Sequence, residues 1–277
     1  MAADDAEVLE LAGREVRITS PGKLLFAQAG VTKLDLVHYY AAVAEPLMRT
    51  MGGRPVLMQR FPQGAGGPSF FQKRVPDKTP AWLETTTVQT VNGTPSRALV
   101  AADVAHVAWA VNLACLGFHV WPSRADDQEH ADELRLDLDP SPGTDFEDVR
   151  AAAAELKDLL DELGVRGFPK TTGNRGLHVY VRLQPRWDSY AVRSAAVAVA
   201  RELERRRPDL LTAAWWKEER GDPWAGIDTD PQSLEPLLAM HERDRANGLM
   251  DAPWPPVYPK QPDEPPRVAP SRAKRQD

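Results

Sequence analysis

The chain has 277 residues, 42% of them hydrophobic, with a formal net charge of −6 at pH 7, an ordinary composition for a soluble globular protein of one large domain or two joined lobes. No stretch approaches the 18 or more uninterrupted apolar residues of a membrane span, and the acidic opening MAADDAEVLE does not read as a secretion signal. The single cysteine, Cys115, excludes a disulfide within the chain and is expected to be a buried thiol in AVNLACLGF, so the expected compartment is the cytoplasm.

In chain order, residues 16–18 and 23–26 read as short strands around the Ser20-Pro21-Gly22 turn. Residues 33–51 carry apolar residues at helical spacing, opened by Thr32 as cap and closed by Gly52-Gly53, and predict one amphipathic helix. A strand over 55–60 and a Pro- and Gly-rich loop over 61–68 precede Ser69-Phe70-Phe71-Gln72-Lys73. Residues 88–91 and 97–101 flank Asn92-Gly93, a hairpin signal, and 104–117 read as an apolar helix. Residues 146–163 predict a helix ending at Gly164, 167–183 a short turn and a strong strand, and 189–207 a helix with arginines in its last turns. The alternation has no clean βαβ rhythm, so the expected class is α+β, or mixed α/β. From Pro253 onward eight prolines and several basic residues predict an extended tail over 253–277.

Charge is segregated along the chain. Residues 49–78 hold six basic residues and one acid, whereas 126–148 hold ten acids and only Arg135 against them. Such a division suits a protein that grips phosphate with one surface and collects metal ions with another, and solvated surface charge without a role stands as the other reading.

Two segments carry chemistry. In LRLDLDPSPG, Asp137 and Asp139 stand two apart in an alternating run, so on a strand both carboxylates share one face. At roughly 6 Å and an effective dielectric near 20 they repel by about 3 kcal/mol, which a hard divalent cation would relieve. Strand-end aspartates that merely face water or begin a turn are the alternative. In KTTGNRGLHVYV, Gly173 and Gly176 form a turn before a strand, with Lys170, Arg175 and His178 as donors, a pattern that fits a phosphate cradle or an ordinary hairpin. Their combination across a connecting helix favours metal and triphosphate brought together.

With SFFQK and GVTKLDLVHYYAAVAEPL upstream, DELRLDLDPSPG and FPKTTGNRGLHVYV resemble the polymerase domain of bacterial ligase D and its stand-alone relatives, in the archaeo-eukaryotic primase superfamily. The resemblance implies a primase-polymerase-like two-lobed fold with central mixed sheets flanked by helices. It divides residues 1–252 into a DNA-binding part, about 1–125, and a metal and nucleotide part, about 126–221. It also implies nucleotide addition at DNA ends or gaps in break repair by non-homologous end joining. Asp137 and Asp139 match the motif that holds Mg²⁺ or Mn²⁺ ions; Thr172, Arg175 and His178 match the nucleotide-binding motif, with Lys170 beside it and His119 in FHVWPSR; Phe70 and Phe71 match the aromatic pair that meets template bases. Lys23, Lys33 and Lys73 fall in segments the family uses on DNA phosphates, including the 5′-phosphate of a break. The implied partners are DNA ends or gapped duplex, NTP or dNTP, a Ku-like protein and a separate DNA ligase, with the protein associated with the nucleoid.

One family motif is not found. A third carboxylate is expected shortly after 214–221, where the chain passes instead into DPWAGIDTDP, with Asp228 the nearest substitute in a poor strand. Some strands are therefore expected to be missing, and whether the chain is an active enzyme stays open. The alternatives are a catalytically impaired module that binds DNA ends or nucleotide, and a metal-dependent phosphoesterase that uses the same aspartates.

Overall fold

The computed structural model describes residues 5–89, 94–141, 143–173 and 175–213. The chain opens on an antiparallel hairpin of β1 (Ala6–Leu11) and β2 (Arg14–Thr19), joined by Ala12 and Gly13 at φ of 49° and 71°. Positive φ at both central residues gives a turn whose twist matches the strands. The first strand escapes a sequence reading because alanine in that position is not a turn signal. β3 (Leu24–Phe26) and β4 (Val31–Thr32) form a second small pair.

Thr32 starts α1 (Lys33–Ala42) with a capping box: its hydroxyl accepts from Asp35 N–H at 3.2 Å, and the Asp35 carboxylate accepts from Thr32 N–H at 2.9 Å. The single helix expected over 33–51 is instead two. It breaks at Val43 and resumes as α2 (Ala44–Met51). Pro46 explains the break, because continuing α1 would press its ring against the Ala42 carbonyl, whereas in the first turn of α2 its missing N–H costs nothing.

β5 (Pro55–Arg60) organises a five-stranded antiparallel sheet with β6 (Phe70–Gln72), β7 (Thr85–Gln89), β8 (Pro95–Val100) and β9 (Cys115–Val120), while α3 (Val104–Asn112) packs on β2 and α1. The expected Asn92-Gly93 turn lies outside the described residues, although the strands it was to join pair from Thr85–Leu99 to Gln89–Pro95. The apolar helix expected over 104–117 is shorter than read. It stops at Asn112, Ala114 turns the chain with φ 59°, and Cys115 begins β9. An unbroken apolar run has no period, so only pairing of β9 with β5 distinguishes helix from strand. Cys115 is fully buried as expected, and burial pushes its thiol up to about 12.

The second half is a layer of helices on one sheet. β10 (Ala131–Leu138), α4 (Phe146–Glu162), β11 (Phe168–Thr171), β12 (Leu177–Trp187) and α5 (Ser189–Arg206) follow in sequence, and the strands lie in the order β10-β12-β11, all antiparallel. Leu134, Leu136, Val179 and Val181 alternate inward and pack with Leu156, Leu159 and Leu160 of α4 and Val192, Ala195 and Val199 of α5. Among the described residues the outer edge of β10 carries one bridge, Ala131 to Ser123. Among the described residues no helix is long and apolar enough to cross a membrane.

A buried ion-pair network joins the halves. Arg54, 2% exposed just before β5, meets Asp132 at 2.6 Å and Glu133 at 3.2 Å on β10, and donates to the Thr50 and Trp121 carbonyls. Arg124 also holds Asp132, at 2.6 Å, and reaches Gly52 O; Arg135 binds Glu133 and the Val120 and Trp121 carbonyls. Two of the ten acids in the acidic block are thus consumed in folding rather than presented to solvent. Replacing Arg54 with alanine leaves two carboxylates without their buried partner and should lower unfolding free energy by about 3–5 kcal/mol. Urea denaturation checks this; a loss under about 1 kcal/mol, the worth of an exposed pair, would remove the network from its structural role.

Candidate functional site

The sheet register builds the site. Lys170 on β11 and Asp137 on β10 both stand opposite His178 on the central strand β12, so the three side chains form one row on the face away from α4 and α5. Asp137 is exposed, and its Oδ1 lies 3.3 Å from His178 Nε2. Asp139, also exposed, sits one residue beyond the end of β10. It is held close to the turn: a Cβ on Gly176 would fall 2.5 Å from Asp139 Oδ1 and 2.9 Å from Leu138 O. Gly176 is therefore required by space at this position.

The turn between β11 and β12 closes through Thr172, whose N–H donates to Gly176 O at 3.2 Å and whose hydroxyl accepts from Gly176 N–H at 3.3 Å. Gly173 takes φ 86°, in the left-handed region. Arg175 is exposed at the tip, and Lys170 Nζ donates to Thr171 O at 2.9 Å. Asp137, Asp139, Thr172, Lys170 and His178 are thus brought together around the ends of three strands. Among the described residues no group of three or more His, Cys, Asp or Glu is placed to hold a metal ion, and Asp228 lies outside them. Two exposed hard-oxygen donors suit a divalent cation whose other ligands are phosphate oxygens and water.

The larger sheet supplies a second wall. Phe71 pairs with Gln59, Gln59 with Gly117, and His119 with Leu57, so Phe71, Gln59 and His119 share the face opposite core residues Val56 and Met58. His119 Nε2 lies 3.3 Å from Gln59 Oε1, and the Phe71 ring meets the imidazole edge-on at 5.3 Å. Although exposed, His119 is held below its ordinary imidazole value, first by lost hydration and then by the charge of His178, which relates the two walls electrostatically. Phe70, one residue earlier, takes the opposite face with the Arg60 guanidinium 5.3 Å from its ring centre. The aromatic pair read from the sequence is therefore divided: Phe71 turns to the site and Phe70 away.

The lysines also separate. Lys73 and Lys23 are exposed, Lys23 donating to Pro62 O. Lys33, expected at the DNA surface, is instead 4% exposed, and its ammonium donates to Thr19 O and to Asn112 Oδ1 at 3.3 Å. Burial and then the neighbouring Lys23 lower its pKa. Of the two, only Lys23 is exposed to an approaching anion.

Gln59 and Tyr180 escape the sequence reading. The alternation in LHVYVR puts Tyr180 on the same face as His178, a signal that was available; Gln59 joins the site only through cross-strand pairing.

The model of the LigD primase-polymerase domain matches residues 32–223. The chain is 33% identical over 207 residues to the multifunctional non-homologous end joining protein LigD of Mycolicibacterium smegmatis, covering 74% of this chain and 27% of that protein. It is 32% identical over 199 residues to the bifunctional LigD of Bacillus subtilis, covering 72% and 32%. The chain thus spans about a third or less of the length of these relatives. It is also similar to the solved polymerase domain of Mycobacterium tuberculosis ligase D in complex with DNA, at 31% identity and a TM-score of 0.65 over 73% of each chain.

Two outcomes follow from the geometry. Gly176→Ala should displace Asp139 and weaken Mn²⁺ binding about tenfold or more, as for lost support of a ligand; an unchanged titration of Mn²⁺ by electron paramagnetic resonance would show that the close contact is not needed. His119 should titrate below about 6.5 in nuclear magnetic resonance and rise toward it in His178→Ala, which removes a repelling charge. Because its folded value is depressed, stability is complete above about 6.5 and is lost as pH falls through the folded value.

Proposed function

Since the chain belongs to the LigD primase-polymerase domain family, we propose that it is a DNA-dependent nucleotidyltransferase that adds nucleotides at DNA ends or gaps during non-homologous end joining. The observation that carries the reading is the row Lys170–His178–Asp137, with Asp139 and the Thr172 turn beside it. Carboxylates and cationic or N–H donors on one open face are the complement of a metal–triphosphate.

The family is metal-dependent, and the ion proposed here is Mg²⁺ or Mn²⁺, held by Asp137 and Asp139. When bound, it supplies neutralisation of triphosphate charge. The protein's residues then do the rest. His178 Nε2 and the Thr172 hydroxyl take phosphate oxygens, while Lys170 and Arg175 add positive charge at the turn. His119 and Gln59 form the far side of the nucleotide site, and Phe71 stacks on template bases, a contact that tolerates any sequence. Lys23, with Lys33 behind it, binds a DNA phosphate such as the 5′-phosphate of a break; Lys73 extends that contact. The M. tuberculosis domain is in complex with DNA, which supports DNA as the partner. The proposal extends to residues 1–252 as the working domain, 253–277 as a basic tail, a nucleoid-associated location, and cooperation with a Ku-like protein and a separate ligase.

One observation favours a second reading: among the described residues the two aspartates have no third carboxylate beside them. A module that binds DNA ends and nucleotide without extending them would fit that set.

Primer extension on a gapped duplex with a 5′-phosphate, in Mn²⁺ with NTP or dNTP, separates the readings. The enzyme reading expects products from the native chain and a loss of about a hundredfold or more in Asp137→Ala and Asp139→Ala. DNA retention with no extension by the native chain would sink it in favour of the binding module, and nucleotide hydrolysis without primer growth would point to a phosphoesterase. In the same assay Lys23→Ala should weaken binding most on the 5′-phosphorylated duplex and reduce its salt dependence.

A further inference from the structure

Gln59 is engaged at both ends of its carboxamide. Its Nε2 donates to the Ser69 hydroxyl at 3.1 Å, and its Oε1 lies 3.3 Å from Nε2 of the His119 imidazole, whose N–H it accepts. A carboxamide offers donors on one side and an acceptor on the other, so one side chain serves both neighbours at once. The two partners come from opposite flanks of the central strand. Ser69 stands just before β6 and His119 lies on β9, with β5 between them.

We propose that Gln59 is a positioning residue that fixes the plane of the His119 imidazole in the nucleotide site and ties it to the stretch of chain that carries Phe71. The inference rests on the reading of His119 as a nucleotide-binding residue. An exposed imidazole turns about two side-chain bonds, and the freedom it gives up on meeting a nucleotide weakens binding. The bond to Gln59 removes that freedom before the nucleotide arrives.

The sheet prepares the place for the carboxamide. Gly117 pairs directly with Gln59, and a Cβ there would fall 2.8 Å from Gln59 Oε1, 2.9 Å from Gln59 Cβ and 3.4 Å from His119 Nε2. A side chain at 117 would displace the amide or the ring, so the glycine clears the line between them. On the other flank Phe71 pairs with Gln59, and its ring meets the imidazole edge-to-face at 5.3 Å. Arg60, next along β5, donates to Gln72 Oε1 at 2.5 Å and holds β6 against the central strand. His119 is thus held at Nε2 by Gln59 and across its ring by Phe71, and both contacts depend on β5.

The test uses Gln59→Leu, which keeps a side chain of similar size and removes both hydrogen bonds. In the ¹³C-labelled full chain, nuclear magnetic relaxation of the His119 ring carbons, assigned against His119→Ala, reads the mobility of the imidazole. Its order parameter should stand near the rigid value of about 0.85 in the native chain and fall toward about 0.6 in Gln59→Leu. Ser69→Ala, at an exposed position that leaves Gln59 and His119 in place, should give a smaller fall in the same direction, and it decides the question if Gln59→Leu does not fold. Affinity for ATP with Mn²⁺, measured by calorimetry, should drop about two- to tenfold in Gln59→Leu, the net worth of one hydrogen bond. In a His119→Ala background Gln59→Leu should cause no further loss. An unchanged His119 order parameter in Gln59→Leu, or an equal loss of ATP affinity when His119 is already absent, would overturn the proposal. If the native chain binds no ATP, the nucleotide reading of the site fails, and the order parameters alone then uphold or overturn Gln59 as the group that fixes the ring.

Discussion

The guanidinium of Arg54 is the point on which the two halves of the molecule depend. It sits at the start of the central strand of one sheet and is paired with two consecutive acids, Asp132 and Glu133, at the start of the strand that carries Asp137. Burying three charges costs several kcal/mol in lost hydration, recovered only if each finds partners in good geometry. Here Arg124, Arg135 and four backbone carbonyls supply hydrogen bonds, while Asp132 Oδ1 meets Arg54 as an ion pair without a hydrogen bond. Neighbouring apolar contacts tolerate sliding, whereas these directional bonds do not. The network thus sets how β10 stands relative to β5, and with it how the carboxylates stand relative to the wall of Phe71, Gln59 and His119.

Within the second half, register does the corresponding work at shorter range. A slip of one residue between β10 and β12 would send Asp137 into the apolar layer and bring Leu138 out to His178. The leucines and valines that pack on α4 and α5 forbid that slip, so a hydrophobic requirement fixes a polar constellation on the other face. Gly176 then determines how closely the turn approaches Asp139. The order β10-α4-β11-β12-α5 is a split βαβ-type unit without its final strand among the described residues, and in that arrangement the open edge of β10 is where such a strand adds.

Much of this was legible in the chain. Thr32 announced the start of a helix, Gly164 the end of another, and the alternation of LRLDLD and LHVYVRL separated inward from outward side chains without any tertiary information. The lapses have physical causes. Pro46 divides a helix because of a clash with a carbonyl four residues earlier, which the apolar spacing does not record. The run ending at Cys115 was uniformly apolar and so lacked a period. Lys33 looked like a surface cation beside Lys23, but its stem is covered and its ammonium is satisfied by Thr19 and Asn112, the latter nearly eighty residues away.

What the amino-acid sequence determined by itself was local and chemical: the caps, the strand periods, a pair of carboxylates on one face, a glycine turn supplied with donors, and the kinship those motifs carry. Those follow from bond geometry and residue type, which act over a few positions. The tertiary structure alone decided which of these groups meet. It set His178 between Asp137 and Lys170, parted Phe71 from Phe70, turned Arg54 and two acids of the acidic block into an internal tie, and set Gln59 between Ser69 and His119. Cross-strand register and buried charge pairing act between residues far apart in the chain, and their outcome depends on packing that no local pattern contains.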